Sequence, residues 1–415
     1  MKRRVVITGL GAITPVGNNV NDFWNSIKEG RNGIDVITHF DTSDFKVKLA
    51  AEVKDFKAEN YMDRKQAKRM DRFSQFAIAA TKEALLDSKL DLENYDKERI
   101  SIIFGSGIGG IETIQNQIRI LDTKGPNRIS PLTIPMAISN IAAGNMAIEF
   151  GIKGSCISLT TACATSSHCI GEAFRNIRDG YSDIVISGGT EASVTEFSIG
   201  GFQALTALSK SEDRNRASIP FDKERNGFVM GEGAGVVILE ELESALKRGA
   251  KIYGEVVGYG TTCDAYHMTS PSSDGEGAAR SMKNAILDAE ISPEQIGYIN
   301  AHGTSTEIND KVETLAIKQA FGDSYKDVAV SSTKSMTGHL LGAAGAIEAI
   351  ISVKAIDDNF IPATINYLNA DEACDLNLVT NNGQEKEIEY SMSNSLGFGG
   401  HNATLIFKKC RNKEC

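Results

Sequence analysis

The chain alternates short apolar runs, which are typical of buried strands, with longer segments whose apolar residues recur at helical spacing. The earliest apolar run, at residues 5–7, predicts a first strand. Helical periodicity covers residues 76–86 and again 278–289, at corresponding places in the two parts of the chain. This alternation predicts an α/β fold.

A reactive cysteine is predicted where an apolar run ending near Leu159 breaks into small residues around Cys163. Apolar residues then recur at helical spacing, at Ile170, Ala173, Phe174 and Ile177. A basic last turn and Gly180 predict the end of this helix. Near a helix N-terminus, unpaired N–H groups and the helix dipole favour a thiolate, so we expect a lowered pKa for Cys163. Taken alone, a free cysteine among apolar neighbours is more often a packing residue.

Two further segments favour the reactive interpretation. An apolar strand around Ile299 ends at His302 and is followed by turn-forming and hydroxyl residues, so His302 is expected at the C-terminal end of a strand. Open α/β sheets place reactive groups there. After an apolar run at 328–330, Lys334 and His339 precede a helical stretch of small residues, which repeats the architecture around Cys163.

The segments around Cys163 and Lys334 align without a gap. An offset of 171 residues superimposes three pairs: Cys163 on Lys334, His168 on His339, and Gly171 on Gly342. A period this long indicates two homologous halves, and equivalent strand ends would bring their reactive side chains to one cleft.

Four motifs carry a resemblance to a known family. They are residues 161–163, 302–306, 334–339 and 393–400. Together they resemble the thiolase-fold condensing enzymes, and among them the β-ketoacyl-acyl-carrier-protein synthase II group of bacterial fatty-acid synthesis. The resemblance runs nearly end to end. It implies an α/β, thiolase-like five-layered αβαβα sandwich from two duplicated halves, residues 1–253 and 254–415, and a homodimer.

The resemblance also implies catalytic roles. Cys163 would carry the acyl chain, and His302 and His339 would stabilise the enolate formed when a malonyl group loses carbon dioxide. The backbone N–H groups of Cys163 and Phe398 would bind the oxyanion. Lys334 would tune the histidines and the loop, with Glu348 as an ionic partner, and a purely structural ion pair is the alternative.

Further residues are expected to bind substrate. Thr304 and Thr306 would suit hydrogen bonds to the phosphopantetheine arm, although ordinary turn chemistry also explains them. Ile108 and Phe202 match positions that line the family's acyl pocket, although by themselves they are typical of core residues. Phe398 resembles the family's gate, and Gly399 beside it allows close backbone approach.

The other histidines are given lesser roles. We expect His168 to be structural, His39 and His401 to be solvent or packing residues, and His267 to lie in a mobile loop near the site. His401 stands where a Thr is common in the family, and residues 165–169 look more like synthase I. The subclass is therefore open.

Composition narrows the choice of partner. The net charge of −10 over 415 residues argues against general affinity for nucleic acid or acidic membrane surfaces. In contrast to this negative net charge, residues 63–72 are basic, with five cations within nine positions. The family docks an acidic acyl carrier protein, so Lys65, Lys68 and Arg69 are assigned to that partner, as one helical face. A solvated helix face is the alternative.

Cysteine usage and hydropathy predict a cytoplasmic protein. Seven cysteines without a Cys-x-x-Cys pair indicate free thiols in a reducing compartment. Neither a membrane span nor a signal-peptide core is predicted from the sequence. Gly9 and Gly11 lack the third glycine of a nucleotide loop, so we expect a structural turn. We predict no metal and no resident cofactor, because phosphopantetheine arrives on the carrier; whether a monovalent cation stiffens the site stays open.

Three alternatives remain beside an elongating condensing enzyme. A ketosynthase of a polyketide or specialised lipid pathway would keep the same site residues. A non-catalytic partner like a chain-length factor would not need the nucleophile and both histidines. A Cys-His hydrolase would want an activating base close to the thiol and an orienting Asn or Asp.

Overall fold

The structure is a computed structural model that describes residues 2–410. Its strands are β1 (Val5–Ile13), β2 (Asp35–Val36), β3 (Leu49–Ala50), β4 (Ile100–Gly105), β5 (Cys156–Ile157), β6 (Ile184–Glu191), β7 (Gly233–Glu241), β8 (Gly254–Cys263), β9 (Ile296–Asn300), β10 (Ala329–Ser331), β11 (Phe360–Ile361), β12 (Gln384–Glu385), β13 (Tyr390–Gly397) and β14 (His401–Lys408).

The helices of the same residues are α1 (Val20–Lys28), α2 (Arg64–Ala67), α3 (Arg72–Ser88), α4 (Ile111–Lys124), α5 (Thr133–Ala137), α6 (Ile141–Phe150), α7 (Thr165–Arg178), α8 (Glu196–Ala204), α9 (Leu242–Lys247), α10 (Glu276–Asp288), α11 (Glu307–Phe321), α12 (Lys334–Thr337) and α13 (Ala344–Asp358). The predicted first strand is β1, and the two predicted helices are α3 and α10. Gly9 and Gly11 lie within β1 rather than in a turn.

The strand order shows the duplication. The main sheet runs β10-β9-β13-β14-β8-β1-β7-β6-β4-β5. Reading outward from the β8–β1 junction, each half places its first main strand innermost, followed by its fifth, fourth, second and third. The two halves meet where Val5 of β1 pairs with Val256 of β8. We propose to end the first half at residue 253, because β8 begins the second set of strands at Gly254.

Helices divide the molecule into five layers. α7 and α13 pack on each other and against strands of both halves, in a shared apolar core. α3 and α6 cover the outer face of the first half, and α10 and α11 cover the outer face of the second. α13 is buried over most of its circumference, as expected of a central helix. The predicted αβαβα sandwich is confirmed.

The gapless repeat is wrong in its register. The equivalent central helices begin at Thr165 and Ala344, so the structural offset is 179 residues and places Cys163 opposite Gly342. A 3₁₀ turn precedes each helix, Ala162–Ala164 in the first half and Leu341–Ala343 in the second. The second half has extra residues before its turn, and they form α12. Lys334 and His339 belong to this insertion and have no counterpart beside Cys163.

The basic segment does not form one helical face. α2 contains only four residues, so Lys65 lies in the helix, Lys68 caps its end and Arg69 lies beyond it. All three side chains are exposed. The expectation of a shared face is wrong because the helix is too short, whereas the exposed cluster of cations is present.

Two expectations about compartment can be compared with the structure. Within residues 2–410, no helix combines the length and the apolar character that crossing a membrane requires. Five cysteines are free thiols: Cys156, Cys163, Cys169, Cys263 and Cys374. Cys410 is disulfide-bonded, so the expectation of free thiols is wrong at that residue.

Candidate active site

Cys163 lies in the 3₁₀ turn that leads into α7. The turn is sharp, because Ala162 adopts a φ of +50°, a region that residues with a side chain enter at a cost in backbone energy. Cys163 keeps part of its surface open, whereas the neighbouring Cys169 is fully buried in the core. The fold therefore leaves Cys163, just before the helix, partly open at the cleft and uses Cys169, inside the helix, for packing.

His302 follows β9 and is held through its backbone. The N–H groups of His302 and Gly303 donate to the two carboxylate oxygens of Glu313, at 2.8 and 2.7 Å. His339 follows α12, and its N–H donates to the carbonyl of Val229 at 2.7 Å. The two imidazole rings stand nearly perpendicular, with their centroids 5.3 Å apart.

The two imidazoles are buried, neutral and short of partners. In the described part of the chain, His302 Nδ1 and both ring nitrogens of His339 have no hydrogen-bond partner. Burial lowers the pKa of each imidazole well below its ordinary value, and the charge of Lys334 lowers both further. Each ring therefore carries one N–H at neutral pH, and their unpaired nitrogens are available to a ligand.

The prediction of a lowered pKa for Cys163 is wrong in this structure. Burial raises the pKa of the thiol to about 12, with Lys334 and the Phe398 N–H opposing the shift and Glu191 adding to it. The turn places the sulfur among apolar side chains, and desolvation of the thiolate outweighs the favourable charge and donor. Cys163 is a thiol before substrate binds.

Lys334 lies behind the two imidazoles, as an ion pair with Glu348. Both side chains are buried, and Lys334 Nζ contacts Glu348 Oε1. Burial raises the pKa of Glu348 to about 7 while Lys334 pulls it down. The predicted pairing is confirmed.

We expect the substitution Glu348→Ala to destabilise the protein by about 3–5 kcal/mol, because it leaves the Lys334 charge buried without a partner. The double substitution Lys334→Met with Glu348→Leu should recover most of that stability, since it removes both charges. Urea denaturation of the three proteins measures the difference. Equal stability of Glu348→Ala and wild type would contradict the buried pair.

Buried oxygens without partners mark a second feature near this pair. Among residues 2–410, these include Asn300 Oδ1, Ser393 Oγ and Glu348 Oε2. Asn300 and Ser393 are register partners on β9 and β13, and α13, which carries Glu348, packs on β13. Such oxygens are of the type that hard cations bind. The described residues contain no cluster of three His, Cys, Asp or Glu side chains suited to a metal.

One cleft of about 530 Å³ unites most of the predicted site. The predicted residues that line it are Cys163, Phe202, His302, Thr304, Thr306, His339 and Phe398. Ile108 does not line this cleft but packs with Cys163 and Phe202 in one apolar cluster. Lys334 lies behind the cleft, and Gly399 belongs to the adjoining loop. Lys65, Lys68 and Arg69 are not among its lining residues.

The loop after β13 approaches Cys163 through its backbone. The N–H of Phe398 is close enough to the Cys163 sulfur to oppose the rise of the pKa of that thiol. A Cβ atom at Gly397 would lie 2.8 Å from the Thr161 carbonyl oxygen and 3.2 Å from the Cys163 nitrogen. Only glycine fits this contact, which explains the residue type.

We expect Gly397→Ala to lower turnover by about 10- to 100-fold, because an added methyl displaces the Phe398 N–H from the cysteine. Gly201→Ala, at a glycine whose Cβ would meet nothing within 4 Å, is the matched control. Steady-state kinetics of both variants provide the measurement. Wild-type turnover in Gly397→Ala would show that the backbone contact is dispensable.

The same loop is fastened to residues 264–272. Gly399 donates its N–H to the Met268 carbonyl at 2.8 Å, and the Asp264 N–H donates to the Gly400 carbonyl at 2.9 Å. Asn402 Nδ2, at the start of β14, donates to Asp264 Oδ1 at 2.7 Å. His267, which lies in this second loop, is exposed and accepts from the Thr269 N–H at 3.1 Å. The Phe398 ring lies 6.3 Å from the Phe202 ring. The two loops are therefore joined at the mouth of the cleft.

The two threonines serve both local structure and the cleft. Thr306 caps α11 by accepting from the Asn309 N–H, and its hydroxyl lies 3.0 Å from that of Thr304. Both side chains line the cleft. The turn-chemistry explanation thus holds for Thr306, without removing it from the site.

His168 is structural, as predicted. Its two ring nitrogens pair with the hydroxyls of Thr161 and Thr261, at 2.8 and 2.9 Å. Burial lowers its pKa to about 4. His39 is exposed and His401 is half-buried, and neither side chain lines the cleft.

Sequence reasoning missed Glu313 and Asp264. Glu313 positions His302, and Asp264 joins the two loops. An acidic side chain on a helix or beside a strand end is usually solvated, so neither position carried a signal. Only their contacts across the fold distinguish them.

Comparisons with known proteins agree with this geometry. Residues 2–245 match the model of the β-ketoacyl synthase N-terminal domain, and residues 253–368 match that of the C-terminal domain. The chain is 54% identical to a 3-oxoacyl-[acyl-carrier-protein] synthase 2 of Synechocystis sp., over 98% of each chain. It is 52% identical to the protein of that name from Staphylococcus aureus, again over 98% of each. A solved type II PKS acyl-carrier protein in complex with its ketosynthase matches with a TM-score of 0.92 and 35% identity, over 99% of this chain and 100% of that one. The chain belongs to the β-ketoacyl synthase family.

Proposed function

We propose that this chain is a 3-oxoacyl-[acyl-carrier-protein] synthase that condenses malonyl-carrier protein with an acyl group held on Cys163, elongating fatty acids by two carbons. The observation that carries the proposal is a partly open thiol in one cleft with two neutral, unpaired imidazoles. The relatives at 54% and 52% identity carry the name of this activity.

The first step is acyl transfer to Cys163. The sulfur attacks the carbonyl of the acyl thioester, a new carbon–sulfur bond forms, and the bond to the phosphopantetheine sulfur breaks. The proton of the Cys163 thiol leaves with the departing phosphopantetheine thiol. The reactants and the products are each one thiol and one thioester, so the step balances without a thiolate in the free enzyme. This is consistent with the raised pKa of Cys163.

The second step is decarboxylation. The malonyl thioester loses carbon dioxide, and the electron pair of the broken bond forms an enolate whose oxygen carries the charge. The imidazole N–H groups of His302 and His339 would donate to that oxygen, since both buried rings have nitrogens without a partner. Neutral imidazoles suit this role, because each keeps a donor without needing a proton from solvent.

The third step is condensation. The enolate carbon attacks the acyl-Cys163 carbonyl, and the tetrahedral oxyanion would be bound by the N–H groups of Cys163 and Phe398. Collapse releases the Cys163 sulfur, which recovers a proton from solvent, and the β-ketoacyl product stays on the carrier. Burial would keep both imidazoles neutral, and the charge of Lys334, held in its buried pair with Glu348, would add to this effect.

The cleft provides for the substrate arm and the chain. Thr304 and Thr306 would bind the amide-rich phosphopantetheine, and Phe202 and Ile108 would line the acyl pocket with Phe398 as its gate. The enzyme would need no cofactor of its own. The unpartnered oxygens of Asn300, Ser393 and Glu348 fit a monovalent cation, which would supply positive charge beside Glu348.

The partners would be an acyl carrier protein and a second copy of the chain. The exposed cations Lys65, Lys68 and Arg69 suit the acidic carrier. The edge strand β5 and several exposed apolar side chains suit the dimer interface, namely Ile118, Ile134, Ile138, Ile148 and Phe197. A cytoplasmic location fits this partner.

Intact-mass spectrometry tests the proposal. The protein is incubated with acyl carriers of graded chain length and then with malonyl carrier. We expect a mass increase equal to one acyl group, discharged as a β-ketoacyl carrier two carbons longer. No adduct at any length would refute the enzymatic proposal and favour a chain-length-factor-like partner, while a polyketide or specialised-lipid ketosynthase would be revealed by repeated, unreduced extension.

A further inference from the structure

A buried carboxylate outside the catalytic set joins the two halves beneath the nucleophile. Glu191, at the end of β6, has no exposed surface. Its carboxylate accepts five hydrogen bonds, from the N–H groups of Gly107, Ile108 and Gly342 at 2.9, 3.2 and 3.0 Å and from the hydroxyls of Ser106 and Ser193, both at 3.1 Å. The three backbone N–H groups can only donate, and they reach both oxygens, so the position requires an acceptor on each oxygen.

The donors come from both halves of the duplication. The segment 106–109 follows β4 of the first half, whereas Gly342 lies in the turn before α13 of the second. The two segments touch: a Cβ atom at Gly342 would lie 2.3 Å from the Gly107 nitrogen and 2.8 Å from Glu191 Oε2. Glu191 therefore fixes the spacing of two backbone segments that share no secondary structure.

These segments carry the side chains that surround the reactive sulfur. Ile108 and Leu341 pack with Cys163 and Phe202 in one apolar cluster. Leu341 adopts a φ of +48°, which a side chain tolerates only when its surroundings hold it there. Its neighbour Gly342 donates directly to the carboxylate.

We propose that Glu191 is a positioning residue that sets the acyl-chain preference, by fixing Ile108 and Leu341 against Cys163. The inference rests on the proposed function, since it concerns the pocket of the acyl group on Cys163. Without the hydrogen bonds to Glu191, Ile108 and Leu341 can both shift. Long acyl chains must fill the pocket and are therefore impaired by the shift, whereas short chains do not reach these side chains and are impaired less.

The test compares Glu191→Gln with wild type. The substitution keeps the size of the side chain but directs an NH₂ group at backbone donors. Acyl transfer onto the protein is measured for carriers loaded with chains from short to long. We expect the preference for long over short chains to fall about 10-fold, a size typical of altered apolar pocket contacts, while the KM for malonyl carrier stays within about twofold.

Glu83→Gln is the matched control, because Glu83 is also a largely buried carboxylate that accepts backbone N–H groups, from Ala12 and Val20. It should reduce activity equally at all chain lengths, if at all. An equal loss at every length in Glu191→Gln, or an unchanged profile, would overturn the proposal.

A second variant covers failure of Glu191→Gln to fold. Ser106→Ala removes one hydroxyl donor to Glu191 and the acceptor of the Gly109 N–H. We expect a shift of the same sign and about threefold size, and its absence would equally overturn the inference. If wild type accepted no acyl group at any length, the proposed function itself would have failed, which is a distinct result.

Discussion

Cys163→Ala should abolish condensation, lowering turnover by about 10⁴-fold or more, because the acyl group then has no sulfur to occupy. The substitution removes one atom from a partly open position, so the fold should be retained. Incubation with acyl carrier should give no mass increase. Decarboxylation of malonyl carrier should persist at a reduced rate, since the two imidazoles remain in place.

Cys263→Ala is the matched control for this variant, because Cys263 is also a free thiol but is exposed at the end of β8. It should take up one acyl group per chain and turn over as wild type does. An acyl adduct on Cys163→Ala would place the nucleophile elsewhere. Circular dichroism and acyl-carrier binding show whether the variant is folded, and so separate loss of the folded state from loss of chemistry.

Replacing His339 by Leu should lower the decarboxylation rate by about 10²- to 10³-fold, because one of two donors to the enolate is lost. Acyl transfer to Cys163 should change far less, since that step forms no enolate. His339→Asn keeps a donor and should retain more activity than His339→Leu. Rapid-quench measurement of acyl transfer and carbon dioxide release separates the two steps.

The pH dependence of decarboxylation provides the control for this prediction. A group with a lowered pKa stays neutral until the pH falls to that pKa, so both histidines should remain neutral from about pH 8 to about pH 6. The wild-type rate should therefore show no loss from histidine protonation across that interval. An acid limb with a midpoint near the ordinary histidine pKa, absent in His339→Leu, would show that His339 titrates in the free enzyme.

Much of the fold and of the site could be predicted from the sequence, because the signals are local. Apolar periodicity located β1, α3, α7 and α10, and the run ending at His302 placed that residue after a strand. The types of Cys163, His302 and His339 indicated the chemistry. The duplication was also visible, but its register was misplaced. The gapless alignment matched His168 with His339 and could not accommodate the inserted α12.

Other properties depended on contacts that no local pattern encodes. The pKa of Cys163 was predicted to fall because the helix N-terminus is visible in the sequence, but the apolar neighbours that desolvate the thiol come from distant segments. Glu313, Asp264 and Glu191 look like solvated acids until the fold buries or pairs them. The basic segment looked like a helical face because its spacing is helical, yet the helix ends after Ala67.

The sequence by itself determined which elements form and which reactive side chains stand at their ends, since side-chain period, capping residues and glycines act over a few positions. The tertiary structure alone decided the protonation of the site and the shape of its pocket. Burial and charge at Cys163, His302 and His339 arise from both halves together, and the clamp at Glu191 joins backbone donors as far apart as Gly107 and Gly342. Desolvation and hydrogen bonding depend on distance in space, which the linear order of residues does not fix.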